Sequence, residues 1–216
     1  MSRPFLDAGL RHPIILPDGT PHAGTVHLNQ VIDHPNIVIG DYSYYSSFDS
    51  PADYASALAP YLYPGAPERL TIGKFCQLAH GVRIITSSAN HAMDGFSTYP
   101  FAVFKQELIG SYAESIGNRR DTVIGNDVWL GFESVVMPGV HIGNGAIIAA
   151  RSVVTRDVPD YAVVGGNPGR VLRQRYPDDV VQRLITLAWW DWDIGQIGCH
   201  VDAITGADIE ALERAG

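Results

Sequence analysis

Cysteine is nearly absent: Cys76 and Cys199 are the only two in 216 residues. They form neither a CxxC nor any paired spacing, which argues against a disulfide-built secreted scaffold and makes a reducing, cytoplasmic setting the expectation. Charge is scarce too, at 18% of residues against roughly 25% in an average globular chain. The net charge of -8 is unevenly spread, because residues 1–176 hold 13 Lys/Arg and 15 Asp/Glu whereas residues 177–216 hold 2 and 8. With no basic stripe to neutralise a phosphate backbone, nucleic-acid binding is not expected. Long apolar runs are missing as well. No segment approaches the roughly 18 apolar residues of a membrane span, and the N-terminus MSRPFLDAGLRHPIILPDG has no signal core. The mature chain is therefore expected to start at Met1 and to have no membrane role.

What is present is a hydrophobic share of 46%, enough to pack one domain with an appendage, and a count of six. Ile72, Leu78 and Ile84 are spaced by six; the step then fails at Asn90. It resumes at Ile124 and runs through Leu130, Val136, Ile142, Ile148 and Val154. Four residues after each stand small side chains: Cys76, Val82, Ser88, Val128, Ser134, Val140, Ala146, Ser152 and Val158. Gly73, Ala79, Gly125, Gly131, Gly143 and Ala149 follow the aliphatic residue directly. Neither a helical period nor strand alternation yields this order. A parallel β-helix does, with three flat sides of one hexapeptide each, the aliphatic residue inside, and coils stacked at strand spacing. The glycine after the aliphatic residue is expected to turn the corner. Residues 72–89 then make one full coil, 124–159 two more, and IGDYSY at 39–44 part of an earlier one.

This pattern resembles that of the left-handed β-helix acyltransferases. The handedness is what the resemblance implies, since the general crossover rule favours the right hand. Within that superfamily the chain is similar to the xenobiotic acetyltransferases, the group that includes streptogramin A and type B chloramphenicol acetyltransferases. The residues that carry the likeness are GDYSYY at 40–45, IGKFC at 72–76, NHAMDGFSTYPF at 90–101, IGNDVWLG at 124–131, GGNPGRVLRQR at 165–175 and WWDW at 189–192. The expected fold is mainly β. It has an N-terminal extension over 1–34, a left-handed parallel β-helix over 35–175 with loop excursions at about 45–70 and 90–123, and a helical segment over 176–216. The helical signals there are a proline and acids opening PDDVVQRLITLAWW, and DIEAL near the end.

An unpaired amide is costly inside an aliphatic prism, so the chain should leave the helix at Asn90. His91 then stands at the corner where a long, aromatic-rich excursion departs, and a loop of this kind favours function. Histidine titrates near neutrality, which suits a general base acting on a hydroxyl. By resemblance, His91 removes the proton of an acceptor alcohol as that oxygen attacks the thioester of acetyl-CoA, and backbone N–H groups stabilise the oxyanion. The plainer alternative is a histidine that caps the corner. His12, His22, His27 and His34 read as solvated, and His80 and His141 as outward-facing. No trio of histidines has the spacing of a shared metal site, so no metal is expected.

Six of the ten tyrosines fall between residues 42 and 63, a segment suited to walling a bulky, mostly apolar alcohol. By resemblance Tyr44 and Tyr63 line the acceptor pocket and Trp129 packs near the catalytic histidine; simple packing is the alternative for each. Small side chains at Gly131, Ala149 and Ala150 would let a pantetheine arm lie on the coils. Arg156, Arg170 and Arg173 could meet the phosphates of coenzyme A, or be ordinary surface arginines. Cys76 reads as core, not nucleophile. The resemblance further implies a homotrimer whose donor and acceptor meet between subunits. The function expected is an acetyl-CoA-dependent O-acetyltransferase acting on a small-molecule hydroxyl. A sugar or small-metabolite acceptor and a non-catalytic trimeric scaffold are the other readings.

Overall fold

The computed structural model describes residues 4–115 and 119–216. The chain enters through β1 (Thr25–His27) and winds a first partial coil with β2 (Ile37–Ile39) and β3 (Tyr44–Ser46); helix α1 (Tyr54–Leu58) then replaces its third side. A complete coil follows in β4 (Leu70–Ile72), β5 (Gln77–Leu78) and β6 (Arg83–Ile84). After an excursion that contains α2 (Ile109–Ser115), two more coils run through β7 (Thr122–Ile124), β8 (Trp129–Leu130), β9 (Val135–Val136), β10 (His141–Ile142), β11 (Ile147–Ile148) and β12 (Val153–Val154). Strand β13 (Ala162–Gly165) ends the winding, β14 (Arg170–Gln174) folds back on it, and α3 (Asp178–Leu187), α4 (Ile194–Gly206) and α5 (Ile209–Glu213) follow.

Three parallel sheets result, one per side: β2, β4, β7 and β10 form the first; β3, β5, β8, β11 and β13 the second; β6, β9 and β12 the third. The second alone is flanked by antiparallel strands, β1 at one edge and β14 at the other. Register puts residues one full coil apart in line, and a step of six leads to the next side. Ile39, Ile72, Ile124 and Ile142 stack in the first sheet, Tyr45, Leu78, Leu130, Ile148 and Val164 in the second, and Ile84, Val136 and Val154 in the third. The nine aliphatic residues of the count are each 2% exposed or less. Burial of each such side chain is worth about 1.5–3 kcal/mol, so the stack is the main stabilising feature of the fold.

The corner chemistry differs from the expectation. Positive φ falls on the third residue after the interior one, at Tyr42, Phe75, Gly81, Asp127, Glu133, Gly139, Gly145, Arg151 and Tyr161, not on the first. The glycine directly after the aliphatic residue serves coil stacking. A Cβ on Gly73 would lie 2.6 Å from the carbonyl oxygen of Gly125, and one on Gly131 2.7 Å from both the Ala150 nitrogen and the Ile148 oxygen. Coils approach backbone to backbone there, and no side chain fits. An amide ladder locks the same corner: the Asn126 side chain accepts from Lys74 N–H at 2.8 Å, Asn144 from Asn126 N–H at 2.8 Å, and Asp160 from Asn144 N–H at 2.6 Å.

His27 also departs from the expectation. It lies in β1, 5% exposed, because that strand pairs with β3 and covers the open edge of the first coil. Burial lowers its pKa. At the other end Trp189 and Trp190 are buried with Tyr161, Val181 and Ile197 in a second apolar cluster. The Trp189 ring meets Phe75 at 5.2 Å, and Lys74 pairs with Asp191 at 2.9 Å, which fixes the helical segment against a corner of the prism. Among the described residues no helix is long and apolar enough to cross a membrane.

Candidate active site

The last ladder bond before the excursion is Ile85 N–H to Val136 C=O at 2.8 Å. The chain then makes a 3-10 turn at Ser87–Ala89, closed by Ala89 N–H on the Thr86 carbonyl and Asn90 N–H on the Ser87 carbonyl, and Asn90 leaves it in extended conformation. Asn90 does not enter the interior. Its carbonyl accepts from the Tyr112 hydroxyl of α2 at 3.2 Å, so the far limb of the excursion is tied to its root. His91 follows, exposed, with Nδ1 2.8 Å from the carbonyl oxygen of Thr98. A carbonyl can only accept, so this bond requires the proton on Nδ1. Nε2 is then left as the nitrogen with a free lone pair. Thr98 was invisible in the sequence as an orienting residue, because only the folded loop brings position 98 back to position 91.

Beside this exit a cleft of about 510 Å³ runs down the corner between the third and first sheets, lined by Ser87, Asn90, Arg120, Pro138, Val140, Thr155, Arg156 and Asp157. Arg120 is neutralised by a two-pronged pair with Asp157, at 3.1 and 2.8 Å. Arg156 lines the same cleft. Among the described residues Arg156, Arg170 and Arg173 form no ion pair.

Arg170 and Arg173 lie on β14, fully on the surface, with guanidinium contacts only to the carbonyls of Gly169 and Gln174. Residues three apart on a regular strand face opposite ways. Here a bulge opposite Val163/Val164 absorbs one residue, so Arg170 sits opposite Gly165 and Arg173 opposite Val163. The two therefore share one side of the ribbon. Next to them Ala149 bonds through its N–H to the Val164 carbonyl at 2.8 Å, and Ala150 is exposed. Ala150 continues a column that begins with His80 and Phe132, whose rings stack at 5.8 Å, with the Arg151 guanidinium 5.7 Å over Phe132. The column thus passes from aromatic rings to the small side chain of Ala150. Gly131 belongs to coil stacking, as shown above.

Tyr44 and Trp129 stand on the outer face of the second sheet, in one row through Gln77. Tyr44 is half-buried, and desolvation raises its phenol pKa; Trp129 is half-exposed. Tyr63 lies in the loop after α1 with its ring open to solvent. Among the described residues no hydrogen bond or ring contact joins His91 to Tyr44, Tyr63 or Trp129 within one chain. Cys76 is completely buried and its thiol is pushed up to about 12 by burial, as a core residue should be. His80 is engaged by Ser47 at 3.0 Å, and no three His, Cys, Asp or Glu side chains converge among the described residues.

A parallel prism wound from hexapeptide coils marks the class of hexapeptide transferases. The family described as bacterial transferase hexapeptide (six repeats) matches residues 121–156. Similar proteins include a chloramphenicol acetyltransferase of Agrobacterium fabrum, 37% identical over 88% of this chain and 91% of that one, and one of Klebsiella aerogenes, 36% identical over 87% and 90%. A virginiamycin A acetyltransferase of Staphylococcus aureus is 41% identical over 87% and 85%. The chain belongs to the hexapeptide-repeat xenobiotic acetyltransferases, and it is an acyltransferase.

Proposed function

We propose that the protein transfers the acetyl group of acetyl-CoA to a hydroxyl of a bulky, largely apolar acceptor of the antibiotic type, with His91 as general base. The observation that carries this reading is the bond from His91 Nδ1 to the Thr98 carbonyl. It sets the tautomer that catalysis needs. Nε2 takes the hydroxyl proton as the oxygen attacks the thioester carbonyl; the tetrahedral intermediate then collapses, the C–S bond breaks, and the imidazolium returns the proton to the leaving sulfur. The products are an acetyl ester and a thiol.

The prism is left-handed in this reading, as in the acyltransferases it resembles. The acetyl-CoA arm lies across the small side chains of Ala149 and Ala150, its phosphates near Arg156, Arg170 and Arg173, and the acceptor meets Tyr44, Tyr63 and Trp129. Three copies assemble so that His91 of one chain serves surfaces of the next, which accounts for the separation of these groups within one chain. The test is thiol release from acetyl-CoA with chloramphenicol, a streptogramin A and simple glycosides as acceptors. His91→Ala should lower turnover about 10²- to 10⁴-fold with acetyl-CoA binding little changed. Near-normal turnover in that variant would overturn the assignment.

A further inference from the structure

Glu68 is the one carboxylate buried in the prism among the described residues, at 2% exposure. A carboxylate taken out of water is costly unless something in the fold uses it. Its Oε1 accepts the backbone N–H of Ser88 at 2.6 Å, twenty residues downstream, while Oε2 is buried without a partner. The residue is itself held firmly. Asn36, also buried, donates through Nδ2 to the carbonyls of Ala66 and Glu68 at 2.6 and 3.0 Å, and its Oδ1 accepts Gly65 N–H at 3.0 Å.

Ser88 is where the coil loses its ladder. Had the winding continued, its N–H would have sought the backbone of the previous coil, but the Arg69 carbonyl is taken by Thr122 N–H at 3.0 Å after the excursion returns. Ser88 is central in the 3-10 turn at Ser87–Ala89, three residues before His91. We infer that Glu68 is a positioning residue for the acetyl transfer, its carboxylate fixing the coil exit through Ser88 N–H and thereby the place from which His91 departs. Thr98 sets the tautomer and rotation of the ring; Glu68 sets its root. This inference rests on His91 being the base.

The experiment is a double-mutant cycle on the full-length protein with acetyl-CoA and the best acceptor of the panel. Glu68→Ala should lower kcat by about 10- to 100-fold, the scale of a misplaced catalytic group, with KM for acetyl-CoA unchanged. Glu68→Gln, which keeps an acceptor at Oε1, should recover most of the loss. Glu68→Asp keeps the charge but loses the reach, and should stay impaired. Combined with His91→Ala, Glu68→Ala should cost little more, because both act on one group. Additive losses, or an active Asp variant beside an impaired Gln variant, would overturn the proposal. Should Glu68→Ala fail to fold, the Gln and Asp comparison decides alone. If His91→Ala itself is active, the general-base reading has failed first; if it is inactive and the Glu68 loss is additive, only the positioning role has failed.

Discussion

Two residues of one type show how far environment decides chemistry. Cys76 is completely buried with its thiol raised to about 12, whereas Cys199 is exposed on α4. A native protein treated with iodoacetamide near neutral pH should therefore take up one label, at Cys199, and keep its acetyl-transfer rate. Uptake at Cys76, or loss of activity on labelling, would contradict the core assignment. Cys76 was legible in the sequence because its place in the six-residue frame gives its burial. The coil exit just before His91 was legible for the same reason, as the first failure of the frame. Thr98, Tyr112 and Glu68 were not, because each acts through a contact with no sequence period, made by a backbone group or across twenty residues.

Elements of the prism were legible wherever side chains repeat, since an aliphatic residue every six can be buried in only one way. The glycine after it was placed correctly and explained wrongly. Its job is the close approach of coils, which depends on the register of a neighbour one turn away. Gly125→Ala tests this: a Cβ would sit 2.8 Å from the Asn144 nitrogen and 3.0 Å from the Gly143 carbonyl carbon. Backbone cannot swing aside, so about 1–3 kcal/mol of stability should be lost, read as a lower melting temperature; an unchanged one would mean that the coils yield. The N-terminal strand was illegible, because its pairing with β3 leaves no alternation in three residues. Its His27 has a pKa lowered from 6.5, chiefly by burial, against which the backbone carbonyls of Leu10 and Ala8 and then the charges of Asp7 and Asp41 act the other way. The unfolded chain thus binds the proton more readily. The contribution of His27 to stability is full above about pH 6.5 and is lost as pH falls below it. His27→Phe should flatten the fall in melting temperature between pH 7.5 and 5.5, and an equally steep fall in the variant would remove His27 as its cause.

At the scale of the whole molecule, the groups proposed for catalysis and donor binding lie on separate surfaces of one chain. His91 leaves from the corner between the third and first sheets, whereas Arg170 and Arg173 ride on β14 at the edge of the second. Both regions expose apolar side chains, Met93, Phe96, Phe101 and Phe104 around the histidine and Val171 and Leu172 beside the arginines. Surfaces of this kind are usually covered by a partner. If assembly completes the site, two inactive variants should rescue each other. His91→Ala lacks the base; a variant carrying both Arg170→Ala and Arg173→Ala should be nearly silent at low acetyl-CoA, since phosphate contacts far from the reacting carbonyl act mainly on KM. Unfolded together in equal amounts and refolded, cyclic oligomers built from both would place an intact histidine against intact arginines at about a quarter of their sites. Activity at low acetyl-CoA should then rise to about that fraction of wild type, although each variant refolded alone stays silent. A site contained in one chain gives no rescue, since no chain in the mixture carries both halves, and that outcome would return the arginines and the histidine to a single subunit.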